Sequence, residues 1–253
     1  MPGRLPKKED FPSSMVFDII PPPGNHPPTN VLILLHGLGD TYTPFTKLAQ
    51  AIQLPDSVCI SLRAPSVLPF DEGRFHWADD LILNEATGNL DMDGGFKAAT
   101  KSLLDMIRNI LMDKCGYIAR EVALWGYGQG GCAALACATG LDDDEELCAI
   151  ISIGGPFPDS VVKPIKGEAK DITTRKLQTP ILVCHGNKSS NVTDASIERC
   201  RNNFEHVKVV TWAREGDSMP KNREEMLPIM IFLSQRLKSL RGVPAGAVEI
   251  GAR

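Results

Sequence analysis

Short apolar runs recur along the 253 residues, and between them lie segments whose apolar residues return every third or fourth position. The runs read as strands and the segments as helices, because side chains alternate faces along a strand and come round every turn of a helix. SMVFDII at 14–20 predicts a first, antiparallel strand, stopped by the turn PPPGNHPP, where proline cannot continue a ladder. VLILLHGLGD is apolar without alternation before it reaches glycine-rich backbone, the pattern of a strand buried on both faces. TPFTKLAQAIQ predicts a helix, and SVCISLRAP a strand ended by Pro65. From Gly94 to Cys115, the spacing of Phe96, Leu103, Leu104, Ile107, Ile110 and Leu111 predicts a crossover helix that ends near Gly116. EVALWGY is the next strand, and GGCAALACAT a helix thin enough to lie close against a sheet. LCAIISIGG, TPILVCHGN and HVKVVTWAR are further strands, and REEMLPIMIFLSQRLKSL is a closing helix interrupted by Pro228.

Strands alternating with helices predict an α/β fold: a mostly parallel central sheet with helices on both faces. The length suits one domain over 14–240, with a flexible segment 1–13 before it and a loose tail 241–253 after it. The segment 68–91 has no clear period and reads as a long ordered loop over the strand ends, where such loops are often functional. LDDDEEL at 141–147 reads as a solvated acidic loop.

Composition narrows the function classes. A net charge of −4 with scattered lysines and arginines excludes an electrostatic footprint for nucleic acid. The opening MPGRLPKKEDFPSS has no apolar core of a leader, and no stretch is long and apolar enough for a membrane span. Seven cysteines, an odd number without C-x-x-C, read as reduced thiols of a cytoplasmic protein. The five histidines have no ligand spacing, so neither a metal nor a cofactor is expected.

The candidate chemistry lies in LWGYGQGGCAAL at 124–135. It has the strand, tight turn and helix of a G-x-S-x-G nucleophile elbow, with Gly128 at the central position. Together with HGLGD at His36–Asp40, the stop Arg63–Pro65 and the His185-Gly186 to Val192 stretch, this resembles the acyl-protein thioesterase, carboxylesterase and lysophospholipase family of α/β-hydrolases. The resemblance covers roughly 14–240 and implies an α/β-hydrolase fold with a serine, aspartate and histidine triad. By position those residues fall on Gly128, Ser189 and Asp217, so all three members are absent. Glycine has no attacking atom, and an aspartate is too weak a base for a serine hydroxyl near neutral pH.

The resemblance also implies that the backbone N–H groups of Leu38 and Gln129 converge as donors on an oxyanion or carbonyl oxygen. His76 is the histidine free enough to approach them. His36 is read as a brace of the HGLGD loop, His185 as structural, His206 as remote, and Cys132 as buried in its helix. Asp79 and Asp80 read as solvated or capping carboxylates. The function expected is that of a pseudoenzyme binding a small acyl or carboxylate ligand or a protein partner. The alternatives are an ester or thioester hydrolase of altered mechanism and an interaction subunit.

Overall fold

A computed structural model describes residues 3–24, 27–69, 71–85, 88–142, 144–161 and 176–239; the tail 241–253 lies outside them. Along the chain come β1 (Phe17–Ile20), β2 (Asn30–Leu35), α1 (Thr43–Ile52), β3 (Ser57–Leu62), β4 (Ser66–Leu68), β5 (Asp71–His76), β6 (Leu83–Asn84) and β7 (Asn89–Leu90). Then follow α2 (Lys97–Asp105), β8 (Val122–Tyr127), α3 (Gln129–Thr139), β9 (Ala149–Ile153), β10 (Ile181–Lys188), α4 (Asp194–Asn203), β11 (Val207–Glu215) and α5 (Arg223–Ser234).

Seven strands form one sheet in the order β1-β3-β2-β8-β9-β10-β11. Only β1 runs antiparallel, pairing Phe17 with Leu62 and Ile20 with Cys59. This is the mostly parallel sheet that the alternation of elements predicts, in the α/β-hydrolase arrangement that the resemblance implies. β2 is buried at every residue and needs apolar groups on both faces. Val31, Ile33 and Leu35 pack toward α2, α3 and α4, while Leu32 and Leu34 pack toward α1 and α5.

Several segments differ from the expectation. The crossover helix begins at Lys97, after Asp79 accepts the N–H groups of Lys97 and Ala98 at 2.8 and 2.9 Å, so Asp79 is a cap. After Asp105 it widens into a π-helix over Met106–Met112, which apolar spacing alone cannot distinguish from an α-helix. The segment 68–91 is not a plain loop: β4 pairs with β5 and β6 with β7, as two antiparallel hairpins too short to carry a period. The acidic loop is tied down, since Arg108 pairs with Asp142 and Glu145, and Arg120 with Glu146.

Residues 3–13, expected to be flexible, lie against the domain. Arg4 N–H donates to the Cys115 carbonyl at 2.9 Å, its guanidinium bonds both oxygens of Asp10, and buried Phe11 stacks 4.4 Å from Phe17. One buried phenylalanine leaves no periodicity to read. Among the described residues no helix is long and apolar enough to cross a membrane, and no group of three or more His, Cys, Asp or Glu could hold a metal ion.

The far end of the sheet is closed by a clasp. The fully buried Asn30 side chain donates to the Lys238 carbonyl at 2.8 Å and accepts the Lys238 N–H at 2.9 Å. Asn30→Ala removes both bonds from a dry position. It is expected to lower stability by about 1–3 kcal/mol, read as a lower urea midpoint with an unchanged slope.

Candidate functional site

At the carboxyl end of β8 the chain turns sharply through Gly128, with φ 51° and ψ −121°, into α3. A side chain is strained in this left-handed region, and glycine adopts it freely. The first turn of α3 then approaches the end of β2 so closely that a Cβ on Gly130 would lie 2.4 Å from the Leu35 carbonyl oxygen. Only glycine fits between these backbones.

The HGLGD loop leaves β2 beside this turn. His36 is fully buried; its Nε2 accepts the Ala64 N–H at 3.0 Å, so its Nδ1 carries the proton and donates to the Gly37 carbonyl at 2.8 Å. Burial holds this imidazole below its ordinary pKa, opposed by the Gly37 carbonyl and by Asp40. The Trp77 indole N–H donates to the His36 carbonyl at 2.8 Å, and Gly39 N–H to the Phe75 carbonyl at 2.9 Å. His36 therefore braces the loop. Among the described residues, the N–H groups of Leu38 and Gln129 donate to no protein acceptor.

The Gln129 side chain is fully buried and ties α3 to the neighbouring loops. Its Oε1 accepts the Trp77 N–H at 2.7 Å, and its Nε2 reaches the Met92 carbonyl at 3.5 Å. Met92 itself fills the space in front of the turn, because a Cβ on Gly128 would lie 3.1 Å from Met92 Cε. Sequence reasoning missed Met92. It stands in an aperiodic stretch, and nothing local distinguishes it from other loop residues.

Ser189 and Asp217 come from the ends of β10 and β11, but their side chains do not meet. Ser189, at φ 51°, donates to Glu215 Oε1 at 2.9 Å. Asp217 accepts from Gly186 N–H at 3.0 Å, Ser190 Oγ at 3.0 Å and Asn191 N–H at 2.8 Å, latching the loop after β10. The Tyr127 hydroxyl donates to the Asp217 carbonyl at 3.1 Å, which holds this latch beside the elbow. Burial, with Asp217 and Asp40 nearby, raises the Tyr127 phenol pKa and keeps that donor protonated.

The other candidates are dispersed. Among the described residues no hydrogen bond joins the His76 side chain to the elbow; His76 is 6% exposed, on β5, in the wall of a groove that neither Leu38, Gly128 nor Gln129 lines. Its pairing within the β4–β5 hairpin, invisible in the sequence, turns it there. His185 bonds the Gly186 carbonyl and Thr211 Oγ1 at 2.8 and 3.1 Å, and His206 precedes β11 at the opposite end of the strand from Asp217. Among the described residues no hydrogen bond joins a histidine side chain to Asp217 or Glu215. Cys132 is fully buried, and burial raises its thiol pKa far above the ordinary range.

With this geometry in view, comparison with known proteins gives a consistent picture. Residues 18–233 match the family model described as Phospholipase/Carboxylesterase. An uncharacterized hydrolase of Schizosaccharomyces pombe is 27% identical over 232 residues, covering 90% of each chain, and one of Mycosarcoma maydis is 33% identical over about half of each. The crystal structure of esterase PE8 superposes with a TM-score of 0.68 at 21% identity, covering 88% of this chain and 99% of that one. Zea mays acyl-protein thioesterase 2 superposes with a TM-score of 0.65 at 23% identity, with the same coverage of both chains. At these identities the two structures speak for the fold. The match over 18–233, on a sheet that presents HGLGD and the elbow side by side, makes this chain a member of the Phospholipase/Carboxylesterase family of α/β-hydrolases.

Proposed function

We propose that this member of the family binds a small acyl or carboxylate ligand, or a partner's carboxylate, through the Leu38 and Gln129 amides and does not hydrolyse esters. The observation that carries the reading is Gly128, a turn residue with no attacking atom, fronted by the Met92 methyl where a nucleophile's side chain would project. The hydrogen bonds of Asp217 support it. A carboxylate that accepts from Gly186, Ser190 and Asn191 is engaged in holding a loop, and Ser189 faces Glu215. Two amides without protein acceptors at a helix N-terminus suit a carboxylate oxygen, and each charge-assisted bond contributes about 1.5–3 kcal/mol. A ligand reaches them once Met92 swings aside, which its unbranched side chain permits.

A second reading, hydrolysis by water held at the same amides, is favoured by one observation. The fission-yeast relative that aligns over 90% of the chain is named a hydrolase. The two readings separate on chemistry. A fluorophosphonate reagent labels an activated serine, so no stoichiometric labelling and no turnover of short acyl esters or thioesters above a Gly128→Leu control is expected. Stoichiometric labelling of any serine, or turnover lost in a folded Gly128→Leu protein, would refute the binding reading.

Repair experiments follow from the same geometry. Gly128→Ser alone is expected to stay within about tenfold of the parent, because triad members act as a unit, and its Cβ meets Met92 Cε at 3.1 Å. The triple change Gly128→Ser, Ser189→Asp, Asp217→His is expected to gain activity only with Met92→Ala added. A single mutant as active as the fourfold one would mean that an unrecognised base already serves the site.

The role assigned to Asp217 has its own readout. Asp217→Ala leaves three donors without their acceptor and is expected to cost about 2–4 kcal/mol. It should also speed amide hydrogen exchange at residues 186–192 selectively. Exchange there that matches the parent protein would remove the latch from the account.

A further inference from the structure

A groove of about 720 Å³ opens between the two hairpins, walled by Leu68, Pro69, Leu81, Leu83, Leu90 and His76. Its volume falls in the range of small-molecule pockets, which run from about 300 to 1,000 Å³. Leu83 and Leu90 are 58% and 38% exposed, an unusual presentation of leucine on such short strands. Neither Leu38, Gly128, Gln129 nor Met92 lines the groove, so it is distinct from the elbow.

Among the described residues its carboxylates are acidic groups that favour positive charge. Asp71, Asp79 and Asp80 border it, and among the described residues no lysine or arginine lines it. Asp71 is neutralised by Arg74 at 3.0 Å, and Asp79 caps α2. Asp80 accepts only the Leu81 N–H at 2.8 Å, and among the described residues no cation pairs with it. His76 is 94% buried in the wall (6% exposed), and its Nδ1 has no hydrogen-bond partner. Buried polar atoms are rarely left unsatisfied in a finished structure. Burial holds the ring below its ordinary pKa, against the nearby Ala78 and Val67 carbonyls and Asp80. Among the described residues no hydrogen bond fixes which ring nitrogen carries the proton, and with the proton on Nε2 the Nδ1 atom offers a lone pair that a donor can fill.

We propose that this groove is a second binding site, for a small amphiphile with an ammonium head and an apolar tail. The leucines take the tail, Asp80 supplies the counter-charge, and the ammonium gives His76 Nδ1 the donor it lacks. An anionic acyl chain of the same length is repelled by the Asp80 carboxylate.

The test uses octylammonium, octanoate and octanol on the full chain, followed by NMR shifts of His76, Leu83 and Leu90. Octylammonium is expected to bind saturably, and more weakly as salt is added. Asp80→Asn should weaken it about twofold to fivefold, the range of an exposed ion pair. Leu83→Gln should weaken it about fivefold through lost apolar contact. Both substitutions are at the surface, and unchanged spectra elsewhere report that the fold is intact. Octanoate binding as tightly as octylammonium, affinity unmoved by Asp80→Asn, or no saturable shift at these residues overturns the proposal. Because the groove shares no lining residue with the elbow, none of these outcomes depends on whether esters are hydrolysed.

Discussion

The first turn of α3 lies directly against the carboxyl end of β2, with no side chain between them, because Gly130 has no Cβ to meet the Leu35 carbonyl. This backbone-to-backbone approach fixes the rest of the site. It brings the Gln129 amide to the mouth of the HGLGD loop, and it carries the Gln129 side chain inside, where it receives the Trp77 amide. Trp77 in turn holds the His36 carbonyl through its indole. Strand, loop, helix and hairpin base thus meet at one buried amide side chain. A change of helix position by the width of a methyl group would separate all four.

What the sequence made legible follows from the range over which each feature is encoded. A strand buried on both faces writes itself as an unbroken apolar run, so β2 and β8 were evident, as was the elbow, whose glycines are set by local backbone needs. The π-helical stretch was not, since Met106, Ile107, Ile110 and Leu111 suit either helix, and only the hydrogen-bond register separates them. The hairpins of the 68–91 segment were hidden because two or three residues of pairing are too few to make a pattern. The partners of the candidate site residues were hidden for another reason. That Ser189 faces Glu215 and Ser190 faces Asp217 is decided by how two strand-end loops meet, and a one-residue offset in that meeting leaves no local trace.

Position within a family motif and role in a fold therefore separate in this chain. Asp217 falls where the resemblance implies an imidazole, yet its two oxygens serve three donors of the β10 loop. His76, the histidine whose place in a long loop suggested reach, is instead buried in a hairpin wall. In both cases hydrogen bonding available to the folded backbone outweighs the side chain's intrinsic chemistry. A carboxylate surrounded by amides is a structural part first.

The clasp between Asn30 and Lys238 has a consequence for the order in which the protein assembles. It joins residues 208 apart, at the end of β2, an interior strand of the sheet. During synthesis β2 emerges early, and the Asn30 NH2 group can meet Thr29, Asp56 and Ser57 soon afterwards, but its oxygen must wait for the Lys238 N–H until residue 238 has cleared the ribosome. The clasp is therefore a late contact of an early strand, and it closes one end of β2 only when nearly the whole described chain is available.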